Sequence, residues 1–168
     1  MKDFHMFCKF NLLSFFLLTV LMTSCGQSDS EYAKYVQFDS GSLQKGEWHT
    51  INFENRGYEN QNDTIAESYP AEVWINVRYS PDFRYNSLHL EIEETSNNTD
   101  SILFSKIEIP LFDSEGKPFS KSSHKVLESS YKIHDSLYLE MPYNLSFSPL
   151  SEDNKGIISI GVTLKKIQ

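Results

Sequence analysis

Residues 72–94 read EVWINVRYSPDFRYNSLHLEIEE, and two runs inside this stretch decide the fold. In the first run Val73, Ile75, Val77 and Tyr79 recur at every second position. In the second, Leu88, Leu90 and Ile92 take one face while His89, Glu91 and Glu93 take the other. A repeat of two is the period of a β-strand with one oily and one polar side, because successive side chains point to opposite faces. A helix would spread the same residues around its circumference. The connection between the runs carries Pro81, Asp82, Asn86 and Ser87, residues that favour turns.

The same alternation returns in GIISIGVTLKK (156–166), where Ile158, Ile160, Val162 and Leu164 oppose Ser159, Gly161, Thr163 and Lys165. Shorter versions occur in EWHTINFE (47–54), SKIEIPLF (105–112) and DSLYLEM (135–141). Between them stand the turn-rich clusters ENRGYENQND, TSNNTD, DSEGKP and SEDNKG. No stretch beyond residue 31 holds a helical apolar stripe. About eight short strands, each with one oily face, bury those faces against a second sheet, so the expected fold is an all-β antiparallel sandwich. A closed β-barrel is the alternative. With no internal repeat and no linker, residues 32–168 read as a single domain.

The chain starts differently. Lys2 and Lys9 precede an apolar run from Phe10 to Met22 that ends in LMTSC (21–25). The run is shorter than the roughly 20 residues needed to span a bilayer. A basic stub, an apolar core and small residues before a cut site describe an export signal over residues 1–24. Thr23 and Ser24 directly before Cys25 resemble the lipobox of bacterial lipoproteins, in which the cysteine thiol carries the acyl anchor. Residues 25–31 then read as a flexible tether.

Removing the signal takes away Cys8, so the lipidated Cys25 is the last cysteine left and no intramolecular disulfide is available. The signal also carries two lysines and one aspartate, which turns the formal charge of −8 into −9 for the mature chain. No cluster of lysine or arginine suits nucleic acid. Membrane attachment is expected through the acyl chains on Cys25.

Catalytic templates each lack a part. There is no HExxH, no paired-cysteine knuckle and no GxSxG. His49, His89, His124 and His134 have no metal-ligand spacing, and neither metal nor cofactor is expected. Glu91, Glu93 and Glu94 could suggest paired carboxylates, but alternation puts Glu91 and Glu93 on one exposed face, so a solubility role is read in preference to acid–base catalysis. Trp48 and Trp74 are read as core residues in preference to a sugar-stacking shelf. The connection that carries Arg78, Asp82, Arg84 and Asn86 among Tyr79, Phe83 and Tyr85 has two readings. It is a recognition surface for a partner, or an internal Arg–Asp brace with tyrosines packed over it.

The stretch INVRYSPDFRYNSLHLEI (75–92) resembles the GldH family of gliding-motility lipoproteins from the Bacteroidota. LFDSEGKPF (111–119) and GIISIGVTLKK (156–166) are similar to further elements of that family, whereas SKSSHKVLESS (120–130) departs from it. The resemblance implies a non-enzymatic lipoprotein anchored to the outer membrane, on its periplasmic face or at the cell surface. Its partners would be other proteins of the envelope or motility complex. A surface glycan-binding lipoprotein is the runner-up. The implied group of bacteria also points to O-glycosylation at Asp-Ser/Thr motifs, with Thr64, Ser101 and Ser136 as candidates.

Overall fold

A computed structural model describes residues 31–39, 41–54, 68–96, 99–120 and 125–167, with the backbone alone for 99–102. Cys25 and Thr64 lie outside the described residues, as do the whole signal and most of the tether. The strands are β1 (Glu31–Gln37), β2 (His49–Phe53), β3 (Tyr69–Tyr79), β4 (Ser87–Ser96), β5 (Thr99–Pro110), β6 (Leu127–Leu139), β7 (Tyr143–Pro149) and β8 (Ile157–Lys166). The expected tether boundary moves by one residue, because β1 opens at Glu31 and pairs it with Lys165.

The strands form two four-stranded antiparallel sheets, ordered β1-β8-β3-β6 and β2-β7-β4-β5. They are separate layers, so the fold is the sandwich and not the barrel. The pairings β4·β5, β3·β6, β2·β7 and β1·β8 are nested. The chain is therefore one long antiparallel ribbon, folded at the β4–β5 turn and rolled up. Cross-pairing of β3 with β8 and of β4 with β7 fastens the roll. This is the connectivity of a jelly roll.

Period two does what the sequence predicts. Val73, Ile75, Val77 and Tyr79 of β3 face Leu88, Leu90 and Ile92 of β4 across a core completed by Ile160, Val162 and Leu164 of β8 and by Leu145 and Phe147 of β7. Each such side chain contributes roughly 1.5–3 kcal/mol of burial. One phase error appears at the start of β8. A register shift opposite Arg78 and Tyr79 turns Ile157 inward and leaves Ile158 half-buried.

The rolled ribbon sorts the connections into two ends. The β1–β2, β3–β4, β5–β6 and β7–β8 connections share one end. The start of β1, the β4–β5 and β6–β7 connections and the end of β8 share the other.

Candidate functional site

The end away from Glu31 carries a cleft of about 310 Å³ between the β3–β4 and β7–β8 connections. Ser80, Asp82, Arg84, Tyr85, Asp153, Lys155 and Gly156 line it. One backbone hydrogen bond joins its two walls, and a second ties the β7–β8 wall to the β1–β2 connection. Ser80 N donates to Gly156 O at 2.7 Å, and Gly156 N donates to Gly41 O at 2.7 Å. Gly156 has φ of +100°, and a β-carbon there would sit 3.4 Å from Phe83 Cα, so glycine suits both the conformation and the close approach. Behind the second wall Asn154 is buried and donates to Leu43 O at 3.2 Å and Ser151 O at 2.7 Å.

The first wall stands on an aromatic relay. Tyr85 is 45% exposed, and its ring meets that of Phe83 at 5.7 Å. Phe83 meets Tyr79 at 6.5 Å, and Tyr79 meets Phe112 at 5.4 Å, each edge to face. The Tyr79 hydroxyl donates to Leu111 O at 2.8 Å, which fixes the relay to the β5–β6 connection. Asp82 N donates to Ser80 Oγ at 3.2 Å, which leaves the Asp82 carboxylate turned to solvent. Asp153 Oδ1 accepts from Lys155 N at 3.3 Å. Among the described residues neither Arg84 nor Lys155 makes an ion pair. The cleft thus pairs two free cations with an exposed tyrosine on a stiff backbone.

The structure divides the four residues that sequence reading grouped. Asp82 and Arg84 reach the cleft. Arg78 does not: it lies on the outer face of β3, where Nε donates to Glu128 Oε2 at 3.0 Å and the guanidinium sits 4.5 Å from the Tyr35 ring centre. Asn86 serves through its carbonyl, which accepts from Leu111 N at 2.8 Å and Phe112 N at 2.9 Å. The brace exists, but its acid is Glu128 and not Asp82.

Two other expectations are corrected. Neither tryptophan is in the core. Trp48 is 43% exposed, and Trp74 lies half-buried on the outer face of the first sheet. Its indole N–H donates to Glu72 Oε2 at 2.9 Å, and Lys132 and Lys165 approach the ring from the flanking strands at 4.9 and 5.4 Å. Val73 and Ile75 occupy the inner face, so alternation itself turns Trp74 outward. The hydrogen bonds from Lys132 and from the indole hold the Glu72 carboxyl below its usual range. Asp135–Ser136 does not open a strand. It lies within β6 at a register shift opposite Ala71 and Val73, and Ser136 is exposed there. Ser101 is on β5.

Glu91 and Glu93 lie on the outer face of β4 as expected, but Glu94 does not. It turns inward and is 5% exposed. Its carboxylate meets His134 Nε2 at 2.9 and 3.0 Å, and Tyr143 Oη donates to it at 2.6 Å. The hydrogen bond to Glu94 raises the His134 pKa against the opposing effect of burial. Burial first, and then the Glu94 charge, push Tyr143 well above the usual tyrosine range. Parity along SLHLEIEE was the available signal for Glu94. Nothing local pointed to His134. Of the remaining histidines, His89 is exposed and His49 packs between Phe38 and Phe147, while His124 lies outside the described residues. Among the described residues no three acidic, histidine or cysteine side chains converge as metal ligands.

No protein-family model and no curated protein matches the chain. Among solved structures it is similar to Eiger TNF from S. frugiperda, at 7% identity and a TM-score of 0.39, over 83% of this chain and 94% of that one. It is also similar to dimeric latent PorU from Porphyromonas gingivalis, at 12% identity and a TM-score of 0.35, over 82% of this chain and 13% of that one. At these scores neither likeness bears on function.

Proposed function

We propose that this protein is a non-enzymatic, lipid-anchored component of the bacterial envelope that docks a protein partner through the cleft around Arg84. The reading joins the signal and lipobox-like LMTSC to the polarity of the sandwich. β1 starts at Glu31 at one end, and the cleft lies at the other, beyond the start of the 10-residue β8. That is roughly 30 Å along the strands. A chain tethered at Cys25 through the outer leaflet or the periplasmic leaflet of the outer membrane would hold the cleft away from the lipid.

The observation that carries the docking role is the pair of free cations. Arg84 and Lys155 line the cleft with Tyr85 without an ion pair among the described residues, whereas the strand cations Arg78, Lys132 and Lys165 are paired. Arginine and tyrosine are the residue types that anchor protein interfaces. Their complement is a partner segment bearing a carboxylate. The resemblance to GldH-family lipoproteins supports a partner in the motility or a related envelope complex.

Affinity recovery of the native acylated protein, wild type against Arg84→Glu and Lys155→Glu, is the test. Loss of the same co-purifying protein from both variants, at unchanged melting temperature, supports the reading. Identical recovery from all three overturns it.

A glycan ligand is the second reading, favoured by the exposure of Trp48 and Tyr85 at this same end. Affinity electrophoresis against a panel of polysaccharides separates the two. Retardation that Trp48→Ala and Tyr85→Ala abolish selects the glycan.

A further inference from the structure

Near the end where the chain enters, the inner faces of the two sheets are joined by a polar contact. There His134 of β6, in the first sheet, reaches Glu94 of β4, in the second, and Tyr143 of β7 closes on the same carboxylate. We infer that the Glu94–His134 contact is a proton-controlled clasp between the sheets, closed when the imidazole is charged and loosened when it is neutral.

The geometry defines the two states. With His134 protonated, the buried carboxylate faces a cation across 2.9 Å and receives the Tyr143 hydroxyl at 2.6 Å. A charge-assisted hydrogen bond of this kind is stronger than a neutral one. With His134 neutral, the same carboxylate stays nearly sealed from water with two uncharged donors, and a buried charge without its counter-charge is costly. His134 itself is about one quarter exposed, with a side-chain exposure of 24%, so solvent protons can reach it.

The surroundings leave His134 as the group whose charge changes. Val73 of β3 stands opposite His134, and Leu103 of β5 stands opposite Glu94; neither titrates. Tyr143 of β7 is held in its neutral form. Lys132 and Asp135 of β6 are engaged with each other at 3.2 Å, and Lys132 with Glu72 at 2.6 Å, on the outer face. Among the described acids near this end, Glu31 pairs with Lys165 at 3.4 Å, Glu93 lies on the outer face of β4, and Glu140, after β6, has a buried Oε2 without a hydrogen-bond partner.

His134 has its folded pKa raised above the ordinary value. Its stabilising contribution is therefore complete below about pH 6.5 and is lost as pH climbs through the raised value. The clasp loosens on the alkaline side.

Backbone hydrogen exchange of the full-length protein reads the clasp locally. The measured quantity is the protection of residues 132–137 and 92–95 in wild type relative to His134→Gln, at pH 6 and pH 8.5, so that intrinsic exchange rates cancel. Expected is a ratio of several-fold or more at pH 6 that falls towards one at pH 8.5, with the β3–β8 pairing unaffected. Glu140→Gln should leave the ratio unchanged. NMR titration of the His134 ring in wild type stands even if the glutamine variant fails to fold. A ratio independent of pH, or a His134 midpoint at or below about 6.5, overturns the inference.

Discussion

The ring of Tyr35 on β1 lies against Gly161 of β8, so near that a β-carbon on Gly161 would overlap Tyr35 Cδ1. The missing side chain lets Tyr35 lie over β8 and reach Arg78, whose guanidinium is 4.5 Å from the ring centre. Burial, and then the neighbouring Glu128, raise the Tyr35 pKa. Edge strand β1 is thereby held to the sheet by side chains as well as by its backbone ladder.

Gly161→Val should displace the ring and destabilise the protein by about 1–3 kcal/mol. In Tyr35→Ala the obstruction is gone, so the valine should cost much less. Urea unfolding of the two single variants and the double variant measures this coupling. Additive losses would mean that the ring and the glycine act independently.

The two arginines of the β3–β4 region should behave oppositely. Arg78→Ala removes a half-exposed pair with Glu128 and the stacking on Tyr35, at a cost of about 1 kcal/mol. Arg84→Glu touches no partner among the described residues and should stay within about 0.5 kcal/mol of wild type. Melting temperatures of both variants check the contrast. A large loss in Arg84→Glu would make that residue structural and remove it from the docking argument.

Tyr79→Phe keeps the aromatic relay and removes the 2.8 Å hydrogen bond to Leu111 O, which still accepts from Phe119 N at 3.0 Å. The expected loss is about 0.5–1.5 kcal/mol. Because the relay supports Tyr85, partner recovery should fall less than stability does. Equilibrium unfolding read beside pull-down yield tests both halves of that statement.

Cys25→Ala should abolish acylation, leaving an unprocessed or soluble protein. Membrane fractionation with an intact-mass measurement decides it. A variant of mature size that still sediments with the outer membrane would end the lipoprotein reading.

Period two is a local property, and it was enough to place β3, β4 and β8 and to say which of their faces is inside. It also contained more than was taken from it. The parity that turned Val73 and Ile75 inward turned Trp74 outward, and the parity of Leu88, Leu90 and Ile92 carried Glu94 into the core. β1 was not legible, because EYAKYVQ sits at a sheet edge where every residue but Val36 stays more than a third exposed, and so its sequence shows no oily face. β7 and the first half of β6 were missed where serines interrupt the alternation.

The jelly-roll order, the meeting of the 80–86 and 151–156 connections, and the His134–Glu94 clasp were decided by the tertiary structure alone. Each joins residues far apart in the chain, 40 positions in the case of the clasp. Strand alternation specifies which face is buried but not which strand lies alongside, since many pairings bury an oily face equally well. Only the rolled ribbon, with its particular registers, sets a carboxylate on one sheet opposite an imidazole on the other and leaves Arg84 without an ion pair among the described residues.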